Sequence, residues 1–333
     1  MFYSPRKLLS YNALFNFVIG ERGVGKTYGS LKFVIKRFLL NKEQFIYLRR
    51  FKTELPRDEG ELFGKISNEF PGVTFEIEKG RDRQIIKIND EVAGWCIPLS
   101  TSLVLKSNNT FSDVKTIIFD EFIIGKGVYH YLQNEVTQFL EFYETIARLR
   151  DVRVLFLANA ISITNPYFNY FHLEIPYNSE YRLYMNGNIC VNYVKNLAYR
   201  EAKSQTRFGQ IVAGSKYGKY AVNNDFLQDN KTFIKRRSEK SKFYFILKVS
   251  DRKFGIWSDR ETGEVYFSEK IDPNCPITFT TSVSSHSENV KLLQVRNSVF
   301  MKTILEKYRD GLVCFENQIC KNYVEPVLQK YVN

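Results

Sequence analysis

Short apolar runs alternate along this chain with longer segments of helical spacing. "LFNFVI" (Leu14 to Ile19) ends at Gly20, as a buried strand feeding a turn would. Past the turn, "KTYGSLKFVIKRFLL" places Leu31, Val34, Ile35 and Phe38 at helical intervals. "FIYLRR" (Phe45 to Arg50) predicts a second strand with a basic end, and "VTFEIEKGRDRQIIKINDEVAGWCIPL" a meander turning at Lys79-Gly80 and Asn89-Asp90. "TIIFD" (Thr116 to Asp120) and "RVLFLAN" (Arg153 to Asn159) are near-continuous apolar runs separated by the helix-like "NEVTQFLEFYETIARLR". Such strands, alternating with helices, belong to a mainly parallel sheet covered on both faces. Residues 1–197 are therefore expected to form one α/β domain.

From 198 to 229 the chain turns polar and glycine-punctuated, "YREAKSQTRFGQIVAGSKYGKY" among it, and this segment is read as a linker. Residues 230–333 are expected to form a smaller α+β domain. Its signals are three strand-like pieces in "FYFILKVSDRKFGIWSDRETGEVYFSEK", a turn at Thr262-Gly263, and a helix from Glu288 to Arg309 that stops at Gly311. The 333 residues suit two such domains better than one core.

Composition narrows the classes of function. Five cysteines (Cys96, Cys190, Cys275, Cys314, Cys320) without C-x-x-C spacing, and three isolated histidines, argue against a disulfide framework or a structural zinc site. No apolar run approaches the ~18–20 residues that span a bilayer, and "MFYSPRKLLSYN" lacks the apolar core of a signal peptide, so a soluble intracellular protein without a membrane partner is expected. The 48 Lys+Arg against 36 Asp+Glu leave a net charge of +12, which favours a polyanionic partner, nucleic acid first.

The turn after the first strand, "GERGVGKT", matches G-x-x-x-x-G-K-S/T. In that pattern Gly20, Glu21, Arg22, Gly23, Val24 and Gly25 offer backbone N–H groups to phosphates, Lys26 reaches the β and γ phosphates of ATP, and the Thr27 hydroxyl ligates Mg²⁺. A second carboxylate at another strand end must complete the magnesium shell, and Asp120 in "TIIFDE" supplies it. Its neighbour Glu121 is placed to polarise an attacking water. Together they mark an ATPase with an added catalytic glutamate, and argue against a kinase or a simple GTPase switch. Asn159 ends the strand "RVLFLAN", where an amide senses the γ-phosphate or, more simply, caps the next turn. Arg148 follows the helix before that strand, either as an i, i+4 partner of Glu144 or as an arginine finger supplied to a neighbouring subunit.

With these motifs in place the chain resembles the DNA-packaging ATPases of phi29-like tailed phages, of the FtsK/HerA-like ASCE group of P-loop ATPases. The likeness extends to "EQFIYLRRFKTEL", "AGWCIPLS", "NEVTQFL", "ISITNPYF", "TRFGQIVAGSKYG" and "FIKRRSEKSKF", and is weakest from His172 to Glu201 and over the last forty or so residues. The resemblance implies a RecA-like ATPase domain followed by an RNase H-like domain that has lost its nuclease site. It also implies a homo-oligomeric ring, a pentamer in the family, working in the host cytoplasm. There it would sit at the portal of an empty prohead, drive double-stranded DNA inward and dock on a structural RNA. It gives Lys26, Thr27, Asp120 and Glu121 the catalytic roles, Arg148 that of the finger in trans, and Lys106 a further nucleotide-linked position. Arg49, Arg50 and Lys52 resemble residues that face DNA. The charges of "YLRRFK" and of Lys235, Arg236 and Arg237 in "KRRSEKSK" suit phosphate contacts that read no sequence, or else solvated faces.

Two other functions share these residues. One is a terminase-like enzyme whose second domain cuts DNA, with Asp251, Asp259, Glu264 and Glu269 as candidate metal-binding carboxylates. The other is a protein whose nucleotide controls docking instead of movement; Glu121 argues against it.

Overall fold

The computed structural model describes the chain except residues 1, 105–110, 125–129, 162, 164, 177, 214, 216–232, 294–297 and 333. It divides into two compact units, Met1–Gln228 and Asp229–Asn333. In the first, a short helix α1 (Arg6–Ser10) precedes β1 (Phe15–Gly20), α2 (Lys26–Asn41), β2 (Gln44–Arg49) and α3 (Glu59–Phe63). The meander β3 (Phe75–Lys79), β4 (Gln84–Ile88) and β5 (Glu91–Pro98) comes next, with Asn89 and Asp90 both at positive φ in its second turn, as a tight hairpin requires. Then follow β6 (Val114–Asp120), α4 (Glu135–Ala147), β7 (Arg153–Asn159), α5 (Pro166–Phe171), β8 (Tyr181–Tyr184), β9 (Ile189–Val194), α6 (Leu197–Ser204) and α7 (Arg207–Val212).

The nine strands lie in the order β3-β4-β5-β2-β6-β7-β1-β9-β8. All neighbours from β5 to β9 run parallel, and β3, β4 and β8 close the edges antiparallel. The strand that ends in Asp120 is thus not beside the strand that ends in Gly20, because β7 stands between them. Side chains of the central strands alternate between two apolar layers. Phe15, Phe17, Ile19, Val154 and Phe156 point into the layer with Phe139 and Phe142 of α4, while Val18, Leu155 and Leu157 point into the layer with Leu31, Val34 and Phe38 of α2. Burial on both faces is why these strands appear in the sequence as unbroken apolar runs.

In the second unit β10 (Lys242–Val249), β11 (Arg252–Ser258) and β12 (Val265–Ser268) form an antiparallel meander. β13 (Thr278–Thr280) and β14 (Lys291–Leu292) extend it in parallel from β10; after α8 (Val299–Arg309), β15 (Val313–Phe315) joins β12, and α9 (Gln318–Val332) ends the chain. The six strands lie in the order β14-β13-β10-β11-β12-β15.

Two expectations need correction. The helix expected from Glu288 begins only at Val299, capped by the Ser298 side chain, because Lys291 and Leu292 pair with β13 instead. Helices α6 and α7 occupy the first part of the segment read as a linker, each capped by its own side chain, Asn196 and Thr206. The run "ICVNYV" forms β9, a fully buried neighbour of β1.

Candidate active site

The three strand ends Gly20, Asp120 and Asn159 meet at the N-terminus of α2. Gly23 and Gly25 have φ of 93° and 83°, left-handed values that let the loop curl back on itself. A Cβ on Gly23 would stand 2.1 Å from the Tyr199 hydroxyl, so that position is closed to a side chain as well. Lys26, almost buried, donates from Nζ to the carbonyls of Glu21 (2.6 Å) and Gly20 (3.2 Å) and to Oδ1 of Asn159 (3.1 Å). Burial pulls its ammonium down to about 8, against the attraction of Asp120, Glu21 and Glu121. The Thr27 hydroxyl lies 3.1 Å from both oxygens of Asp120, and Tyr47 donates to Oδ2 of Asp120 at 2.8 Å. Burial pushes the Asp120 carboxyl above the usual range, although Arg49 and the Tyr47 and Thr27 bonds oppose it.

Glu121 leaves β6 with φ of 58°, which turns its half-exposed carboxylate into the cleft that Lys26, Thr27, Asp120 and Asn159 also line. Arg49 donates to it at 2.8 Å and stands 3.6 Å from Asp120 and 3.8 Å from Glu54. The cleft measures about 490 Å³, within the range of small-molecule sites. The loop fits a polyphosphate: its buried lysine has no carboxylate of its own among the described ion pairs. The Thr27 hydroxyl beside a carboxylate suits Mg²⁺, which takes few protein ligands and completes its shell with phosphates and water.

The basic strand end is not the exposed cluster expected. Arg49 is 13% exposed and turned toward Asp120 and Glu121. Arg50 is 1% exposed and forms two bonds with Glu135, at 2.7 and 2.9 Å. It also donates to the carbonyls of Phe122 (2.7 Å) and Glu121 (3.3 Å), and Glu135 further accepts from Tyr167 and from the Leu132 N–H. Neither arginine is therefore placed to face DNA; of the three, only Lys52 presents an exposed ammonium, bonded to the Arg81 carbonyl. Glu135→Ala would strand the buried guanidinium, and we expect a loss of about 3–5 kcal/mol of unfolding free energy. Denaturant melts check this, with Glu135→Gln losing less; an unshifted midpoint for the alanine variant would contradict the account.

Arg148 follows the last residue of α4 with φ of 52° and ψ of −116°, exposed beside a fully exposed Leu149. This corner lies at the start of β7, whereas the cleft lies past its end, about 20 Å away at ~3.3 Å per residue. Next to it Arg150 donates to the carbonyls of Phe111 and Val114, where β6 begins. Arg148 is thus outside the cleft of its own chain. Lys106 lies outside the described residues.

Helix α6 contributes residues that local sequence patterns do not reveal. Arg200 pairs with the buried Glu21, Lys203 donates to the Arg22 carbonyl at 3.5 Å, and Tyr199 covers Gly23. In the second unit Lys235 pairs with Glu264, Lys240 with Glu261, and Arg237 stacks at 4.0 Å over Trp257, leaving Arg236 exposed. Three of the four carboxylates weighed for a nuclease are occupied otherwise: Asp259 caps a turn at Glu261 and Thr262, Glu264 holds Lys235 and Tyr266, and Glu269 holds Arg252 and Asn317, while Asp251 is exposed. Among the described residues no group of three or more His, Cys, Asp or Glu is placed to hold a metal ion.

A parallel sheet with a strand inserted between the P-loop strand and the Asp120 strand, and a glutamate after that aspartate, defines the P-loop ATPase class with an additional strand. Within that class, the chain belongs to the Podovirus DNA encapsidation protein (Gp16) family, whose model matches residues 1–332. It is 35% identical to the DNA packaging protein of Bacillus phage phi29 over 332 residues, 99% of this chain and 98% of that one. It is similarly 35% identical to the DNA packaging protein of Bacillus phage B103 over 316 residues, 94% and 96% of the two chains. A chain of the solved bacteriophage phi29 viral genome packaging motor assembly superposes with a TM-score of 0.79 at 34% identity, covering 99% of both chains. The crystal structure of the N-terminal domain of the phi29 DNA packaging ATPase, 40% identical, matches 60% of this chain and 98% of its own, with a TM-score of 0.53.

Proposed function

We propose that this chain is the ATPase of a viral genome-packaging motor, using ATP hydrolysis to move double-stranded DNA into a preformed prohead. The observation that carries the reading is the convergence, in one cleft of a DNA encapsidation family member, of Lys26 with Asn159, Thr27 with Asp120, and Arg49 with Glu121. Lys26 neutralises the β and γ phosphates, and the loop N–H groups orient them. Thr27 and Asp120 would hold Mg²⁺, which when bound offsets the charge that builds on the phosphates. Glu121 takes the proton of the attacking water, and to do so its carboxylate must leave Arg49. Asn159 senses the γ-phosphate through the bond it shares with Lys26.

In this reading the subunits form a ring, a pentamer as the family resemblance implies, in which Arg148 reaches the neighbour's nucleotide. The exposed charges of Lys52 and Arg236 contact DNA phosphates without reading bases. The second unit docks on the portal and on a structural RNA. No helix of the described residues is long and apolar enough to cross a membrane, and the host cytoplasm is the proposed location.

The test is Mg·ATP hydrolysis by the purified protein with and without duplex DNA of unrelated sequences. Turnover should rise with any duplex. Turnover indifferent to DNA would make the cleft a nucleotide-controlled docking device and sink the motor reading.

A further inference from the structure

The cleft has a second half that phosphate binding leaves unused. Away from Lys26 and Asp120 it is lined mainly by Phe2, Tyr28, Leu31, Leu62 and Ile66, with the charged Glu61 and Lys65 between them. Phe2 is 63% exposed, yet it is held in place by its neighbours. Its ring rests on Gly25, where a Cβ would come within 2.8 Å of a ring carbon, and lies 4.9 Å from the Tyr28 ring at a tilt of 41°. The next residue, Tyr3, ties the segment to the phosphate loop through its N–H to the Val24 carbonyl at 2.9 Å. Tyr28 is fixed in turn by a hydrogen bond from its hydroxyl to Glu69. Because Tyr28 directly follows Thr27, the aromatic pair begins where a triphosphate held by the loop would end.

A nucleotide joins a polyanion to a flat, stackable base, and the cleft joins a cationic cradle to a pair of rings, one with an open face. We propose that Phe2 and Tyr28 form the platform on which the purine base stacks. The proposal rests on the nucleotide reading above and adds to it the base contact that the P-loop motif does not specify. Aromatic rings stack on any base but gain most from the larger purine face, so ATP and GTP should bind more tightly than CTP and UTP.

Titration calorimetry on the full chain separates the two halves of the cleft, using Mg·ATP and Mg·tripolyphosphate, which lacks base and sugar. Phe2→Ala should weaken ATP binding about tenfold and leave tripolyphosphate binding unchanged, and Phe2→Trp should keep ATP affinity. Equal losses for both ligands would mean that Phe2 only props up the loop, and undiminished ATP affinity in Phe2→Ala would mean that the base lies elsewhere; either result overturns the platform while leaving the phosphate cradle standing. A wild-type chain that binds neither ligand would overturn the nucleotide reading itself, and the platform with it.

Discussion

Subunits carrying Arg148→Ala lose ATP turnover by about 10³–10⁵-fold in the assembled motor, the range an arginine finger supplies, and regain it when mixed with Lys26→Ala subunits. The expectation follows from where the side chain sits. It lies at the start of β7, a strand's length from the cleft of its own chain, so any ATP it reaches belongs to another subunit. In a mixed ring an Arg148→Ala subunit still has its own Lys26 and can borrow an intact arginine from a Lys26→Ala neighbour. Steady-state hydrolysis of the mixtures, measured with proheads and DNA present, is the check. Mixtures no more active than either parent would rule out shared sites.

Glu121→Gln should reduce turnover by about 10²–10⁴-fold while ATP still binds, because the amide keeps the side chain's size but takes no proton from water. An amide oxygen can still accept from Arg49, so the cleft keeps its shape. Single-turnover hydrolysis measured beside equilibrium ATP binding separates the two effects. Full turnover in the variant would move the role of base to another residue, and loss of binding would make Glu121 part of the cradle.

The central strands and the P-loop were legible because each is a local signal: an apolar run buried on both faces, or a spacing of glycines before a lysine. What escaped depends on partners far away in the chain. Arg49 and Arg50 together read as one basic cluster, but successive strand residues point to opposite faces. Their carboxylate partners, Glu121 and Glu135, lie 72 and 85 residues further on. Arg200 meets Glu21 across 179 residues, which is why its segment read as polar linker. The helix expected from Glu288 failed for a related reason: pairing with β13 outweighed a weak local preference. By sequence Asn159 suits a γ-phosphate sensor or a turn cap alike; its Oδ1 accepts from Lys26, a partner 133 residues earlier that no local pattern reveals.

The two flanks of the phosphate loop are held by residues near opposite ends of the first unit. Tyr3 bonds the Val24 carbonyl on one side, while Tyr199, Arg200 and Lys203 cover Gly23, Glu21 and Arg22 on the other. This bears on how the ATPase half can be handled at the bench. A recombinant fragment stopped at residue 197, where sequence alone would cut, discards every one of the α6 contacts to the phosphate loop. Low activity in such a preparation would report a loosened loop and not a missing second unit. A fragment that runs past Val212 preserves the loop's supports on both sides.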